Sequence, residues 1–180
     1  MGKRHAAIGD EHRAFIEAQK IFFVGTADCD GRVNVSPKGM DTLRVLDAHR
    51  VVWLNLTGSG NETAAHLLGN DRMTVMFCAF EGKPLILRLY GHARALHPRD
   101  PDWAELAALF PPLPGARQVM ELKVDMVQSS CGFGVPLFDY VGERDELTRW
   151  AEKKGPTGIH DYWEQKNAVN IDGKPTRITE

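Results

Sequence analysis

Apolar positions along this chain fall into short, β-rich runs, several of them alternating with polar residues and separated by turn-forming clusters. "IFFVGTA" and "VNVSPKG" flank "DCDGR", whose Asp-Gly pair is a hairpin signal. "TLRVL" and "RVVWLNL", joined by the polar "DAH", make a second pair, and "RMTVMFCAF" and "LILRLYGHARAL" supply two more strands. A last long strand runs through "ARQVMELKVDMV". Helical spacing is confined to brief intervals. "EHRAFIEAQK" is capped by Asp10 and presents Ala14, Phe15 and Ala18 on one face, and a helix of about eight residues runs from roughly Glu62 to Gly69. "DPDWAELAALF" carries an Asp cap and is halted by "PPLPG", and "ERDELTRWAEKKG" forms a charged helix in the tail. Six or seven strands joined this tightly leave no room for crossover helices. The fold class is therefore mainly β with short peripheral helices (α+β), an antiparallel barrel closed or partly closed.

With 180 residues, 43% of them apolar, the chain is long enough for a substantial core. Its formal charge of −2 argues against a nucleic-acid partner, and no apolar run is long enough to span a bilayer. Cys29, Cys78 and Cys131 are odd in number and lack metal-ligand spacing, so reduced thiols and no metal site are expected. With no leader-like apolar segment in "MGKRHAAIGDEHRAF", the expected compartment is the cytoplasm. After Ser129 the character changes, so residues 1–130 read as the barrel. Residues 131–180 read as an extension that packs on the same domain or on a partner.

The stretch "TGSGNET" interrupts the strands just before the second helix. It carries two readings. In one, Ser59 and Glu62 form an S-x-x-E capping box. In the other, the glycines and the helix start expose backbone amides that wrap a phosphate, using Gly58, Gly60, Asn61 and Thr63, with Glu62 turned aside. No Walker-type lysine follows, which argues against a nucleoside triphosphate. A phosphate would want a fixed cation, and Lys38 at the end of "VNVSPKG" is the candidate. Arg88 is flanked by Leu87 and Leu89 and shares a strand face with Ile86 and Tyr90, so its charge needs a partner.

The order of these features, from "GTADCDGRVNVSPKG" through "VVWLNL" and the small-residue helix start to "HLLGNDRMTVMF" and "LRLYGHARAL", resembles the pyridoxamine 5′-phosphate oxidase-like family. The resemblance covers about Phe15 to Ser129. It implies a split β-barrel that binds flavin mononucleotide (FMN) between the two chains of a homodimer. It also implies that Asn34, Val35, Ser36, Pro37 and Lys38 line the flavin and that Trp53, Leu54 and Asn55 pass beneath its rings. Ser59, Gly60, Asn61, Glu62 and Thr63 would hold the phosphate, with Arg88 as a further cation and Gln128 and Ser129 as a late-strand flavin contact. The chain departs from the oxidases in lacking their Arg-Lys pair at the helix start and their basic C-terminal motif, so oxidation of the vitamin itself is not expected.

The implied function is an FMN-dependent oxidoreductase acting on a small molecule, with deazaflavin or haem as alternative cofactors. A flavin-, deazaflavin- or haem-binding or sensing module without turnover is the alternative from another class. Flavin chemistry needs no side-chain nucleophile, so no catalytic residue is assigned. His66 and His92 read as core or interface residues before proton donors, and Cys131 as part of a tight turn packing against a partner subunit. Phe133, Phe138, Tyr140, Trp150, Tyr162 and Trp163 are expected to bury the tail.

Overall fold

Seven strands form where the alternating pattern places them, and the computed structural model, which describes residues 2–180, adds an eighth. The strands are β1 (Lys3–His5), β2 (Phe22–Thr26), β3 (Asn34–Lys38) and β4 (Leu43–Asp47), followed by β5 (Arg50–Leu56), β6 (Arg72–Cys78), β7 (Ile86–Leu96) and β8 (Ala116–Ser130). They form one antiparallel sheet in the order β3-β2-β6-β7-β8-β5-β4, with β1 added along β8. β1 escaped the sequence pattern because Lys3, Arg4 and His5 carry no apolar alternation; pairing to β8 alone makes them a strand. The sheet curls but β3 and β4 remain its two edges, so the barrel is split.

Register explains the core. Phe22, Val24, Val75, Leu87, Leu89, Val127, Leu122, Met120, Val51 and Trp53 fill the concave side of the sheet. β5 and β8 are also buried on their other face, where Val52, Leu54 and Val119 pack with Leu96, Leu106 and Phe110. The short helix α3 (Trp103–Ala107) supplies Leu106 to this second cluster. On the face of the second cluster, opposite Val52, Glu121 is 1% exposed and accepts from Arg94 at 2.5 Å and from Arg50. Burial alone would raise its pKa, but the two guanidiniums outweigh that and hold it below the usual range.

Four local expectations need correction. Helix α1 (Asp10–Ala18) is capped by Gly9, whose amide donates to His12 Nδ1, so Asp10 is its first helical residue and not its cap. Its inner face is Ile16 with Phe15, whereas Ala14 and Ala18 are exposed. Tail aromatics are not uniformly buried: Phe133, Phe138 and Tyr140 are 81%, 59% and 47% exposed, while Trp150, Tyr162 and Trp163 are half-buried. The tail helix α4 (Glu146–Tyr162) breaks where a stop was expected, at Gly155 with φ 66°, and resumes at Pro156. It continues into a π-helical turn, Trp163–Asn167. No helix among the described residues is long and apolar enough to cross a membrane.

Candidate functional site

Helix α2 (Glu62–Gly69) begins as expected, but its N-cap is Asn61, not Ser59, and no side chain caps it. The capping box is absent because Glu62 turns the other way, accepting from the Ile171 amide at 3.1 Å through Oε2. Ser59 is exposed, and the carbonyls on either side of it are tied down. Gly58 O accepts from Asn167 Nδ2 at 3.1 Å and Gly60 O accepts from Arg117 at 2.9 Å. Among the described residues the amides of Ser59 through Thr63 have no protein acceptor. Free amides at a helix start carry partial positive charge and suit an anion.

Two cations approach this loop. Lys38 ends the edge strand β3, half-buried, with Nζ 3.5 Å from Asn55 Oδ1 across the split. Burial, followed by the nearby Arg117 charge, lowers its pKa to about 8. Arg117 is 3% exposed and donates to Asn167 Oδ1 at 2.8 Å as well as to Gly60 O, while its Nε has no partner. Burial lowers its pKa to about 10. Neither cation is hydrogen-bonded to a carboxylate. A buried charge left in this way is costly unless a counter-ion completes it. Both side-chain atoms of Asn61, 2% exposed, and Nε2 of buried Gln118 also lack partners. These orphaned groups fit an anionic ligand at the loop.

The remaining candidates separate into groups. Asn34, Ser36 and Lys38 alternate on one side of β3, with Asn34 Nδ2 3.5 Å from Thr63 Oγ1, whereas Val35 and Pro37 point outward and are exposed. Asn55 joins the same side, and its Nδ2 donates to Gln118 Oε1 at 3.1 Å. Trp53, 0% exposed, and Leu54, 4% exposed, lie in opposite core clusters, and their backbone is paired to β8 on one side and to β4 and Thr42 on the other, so the structure does not present them to a ligand. Arg88, Gln128 and Ser129 gather at the far end of β8. Arg88 reaches Ser130 Oγ at 3.4 Å, and Tyr90 donates to Gln128 at 3.2 Å. At about 3.3 Å per residue, some 35 Å of strand separates Gln128 from Arg117. These two groups do not meet within one chain.

His66 is 1% exposed and bonded through Nδ1 to Thr26 Oγ1 at 3.1 Å, which makes it a core histidine. His92 is exposed and held by Asp71 at 2.8 Å, which raises its pKa. Cys131 is exposed beside Gly132, whose φ of 66° and close approach to the Leu85 backbone make the tight turn. A groove of about 1030 Å³ lies beside the loop's cation and not at the loop itself, bordered by Pro37, Lys38, Phe80, Phe138 and Tyr140. Sequence reasoning missed Arg117, Gln118 and Asn167. The available signal was an arginine opening a strand whose next residues are buried.

Comparison with known proteins agrees with the split-barrel fold. The family described as pyridoxamine 5′-phosphate oxidase matches residues 8–131. The pyridoxamine 5′-phosphate oxidase family protein ustO of Aspergillus flavus is 36% identical over 189 residues, spanning 95% of this chain and 76% of the relative. Among solved structures, a Clostridium acetobutylicum protein related to general stress protein 26, of the pyridoxinephosphate oxidase family, superposes with a TM-score of 0.53. It is 19% identical and covers 76% of this chain and 94% of its own. The FAD binding protein from Mycobacterium smegmatis gives a TM-score of 0.51 at 12% identity, over 69% of this chain and 97% of its own. By these matches and by its split antiparallel barrel, the chain belongs to the pyridoxamine 5′-phosphate oxidase family.

Proposed function

We propose that this protein binds FMN with its phosphate on the Gly58–Thr63 loop and acts as a flavin-dependent oxidoreductase on a small organic molecule. The observation that carries the reading is Arg117, a nearly fully buried guanidinium with no bonded carboxylate, an unpartnered Nε and a contact to the loop itself. The loop amides and the Thr63 hydroxyl would bind phosphate oxygens, and Arg117 and Lys38 would neutralise them. Asn34, Ser36 and Asn55 offer polar groups along the split, where a flat ring system can be oriented and shielded from water.

When bound, the flavin supplies hydride or single-electron transfer. The chain's own part is to position, to exclude water and to move a proton. Lys38, with a pKa near 8, is the group along the split able to release or hold a proton at Nζ near neutral pH. Haem draws no support from His66, which is enclosed and bonded to Thr26, so it is not presented as an axial ligand. Deazaflavin shares the phosphate chemistry and is separated from FMN by direct titration.

The reading includes a homodimer with the flavin between chains. The outer sheet face supports it: register aligns Pro37, Phe23, Met76 and Arg88 with Gln128 in one row and Val35, Gly25, Thr74 and Tyr90 with Met126 in the next. Val35 is 66% exposed there. A second copy covering this face would bring its Arg88, Gln128 and Ser129 end toward the first copy's loop.

The test is the ultraviolet-visible spectrum of purified protein before and after addition of FMN and dialysis, followed by titration with FMN, riboflavin and a deazaflavin. A retained flavin spectrum with reduction by a nicotinamide donor and reoxidation by an acceptor supports the enzyme. Retained flavin without turnover would leave a binding module, and complete loss of flavin on dialysis would refute the proposal.

A further inference from the structure

The segment beyond β8 lies outside residues 8–131 matched to the family, yet it contacts the loop through three polar side chains or amides of its own. Trp163 Nε1 donates to Thr57 Oγ1 at 2.8 Å. Asn167, 0% exposed, uses both halves of its amide: Nδ2 donates to Gly58 O and Oδ1 accepts from Arg117. Thr176 Oγ1 in turn donates to the Asn167 carbonyl at 2.5 Å, and the Ile171 amide draws the Glu62 carboxylate to itself at 3.1 Å. The turn that follows is fastened to the β2–β3 loop. Lys174 bonds Asp28 at 2.6 Å and also Asp30, and the Arg32 amide donates to Asp172 at 2.8 Å.

Each of these contacts has a consequence for anion binding. Holding the Gly58 and Gly60 carbonyls away removes two acceptor dipoles that would repel an anion. The Ile171 amide engages one Glu62 oxygen and so offsets part of its negative charge, while the other oxygen stays beside Gly60 and Arg117. A loop without a cation of its own receives one, Arg117, held in place by a neutral partner. Asparagine suits that role, because a carboxylate at the same position would pair with the guanidinium and cancel it.

We propose that the C-terminal segment Trp163–Asp172 is a clasp that configures the phosphate cradle, with Asn167 as the positioning residue that aims Arg117 and turns the Gly58 carbonyl aside. This inference rests on the phosphate reading of the loop given above. It makes the tail part of the binding site and not merely a cover for the barrel.

The test uses full-length Asn167→Ala and Asn167→Asp, with Glu121→Gln as a variant destabilised away from the loop. Dissociation constants are measured for FMN, for riboflavin, which lacks the phosphate, and for inorganic phosphate by competition; melting temperatures are recorded alongside. Both Asn167 variants should weaken FMN and phosphate tenfold or more while changing riboflavin affinity less than twofold. Asn167→Asp preserves the side-chain shape, so it keeps the test valid if Asn167→Ala folds poorly. Glu121→Gln should melt earlier with its FMN-to-riboflavin preference intact. FMN affinity within twofold of the parent protein in both Asn167 variants, or equal losses for FMN and riboflavin, would overturn the clasp alone. A parent protein that shows no preference for FMN over riboflavin and no phosphate competition would overturn the phosphate reading, and the clasp with it.

Discussion

Lys38→Met separates a ligand-binding lysine from a structural one, because the two roles predict opposite signs for stability. Burial and Arg117 lower the Lys38 pKa from 10.5 to about 8. At neutral pH that fall corresponds to about 3 kcal/mol disfavouring the charged lysine in the fold, at 1.36 kcal/mol per pKa unit. The side chain is only half-buried and its contact to Asn55 is long, 3.5 Å, so about 2 kcal/mol is a fair net figure. Methionine keeps the length and drops the charge. The ligand-free variant should therefore melt about 4–8 °C higher, using about 2–4 °C per kcal/mol for a chain of this size. FMN affinity should fall about 10- to 100-fold, the usual worth of about 1.5–3 kcal/mol for a charged hydrogen bond. The pH profile sharpens the test. Between about pH 8 and 10.5 the unfolded chain holds a proton that folded Lys38 has released, so stability of the free protein rises with pH in that window. The Met variant should lack this rise. FMN binding by the parent should weaken as pH passes 8. Differential scanning fluorimetry and flavin fluorescence quenching measure both quantities on one sample. A variant that melts lower and binds FMN as before would show that Lys38 is structural and refute the reasoning.

Replacing both Asn61 and Thr63 with alanine should cost FMN affinity; retained affinity with a lowered melting temperature would reduce the loop to a helix start. Glu121→Gln should destabilise the barrel by about 2–4 kcal/mol in urea titrations at pH 7, less than a wholly enclosed pair because Arg50 and Arg94 are partly exposed. The Glu121 contribution is complete above its ordinary pKa of 4.5 and disappears as pH falls through the lower folded value, so parent and variant should converge in acid. Gly91→Ala would place a Cβ 1.9 Å from the Lys123 carbonyl oxygen, backbone against backbone where β7 and β8 shift register. A loss of about 3 kcal/mol or more is expected, and urea unfolding unchanged within 0.5 kcal/mol would contradict that close approach.

Local pattern was enough for the seven apolar strands, their antiparallel order in hairpins and the span Glu62–Gly69, because period-two alternation and turn residues act over a few neighbours. It also placed Lys38 at a strand end and flagged the small-residue loop. The cap at Asn61 was not legible, since Ser59 and Glu62 fit a capping box locally and only the distant Ile171 amide draws Glu62 away. β1 was invisible for the opposite reason: its residues have no pattern and gain strand form from the β8 edge. Arg117 and Asn167 are fifty residues apart, and nothing in either neighbourhood marks them as partners. Sequence determined which segments could be strands and where a helix could begin. Tertiary structure decided which charges were buried without a bonded carboxylate, because desolvation and pairing depend on what surrounds a side chain in space and not on what adjoins it in the chain.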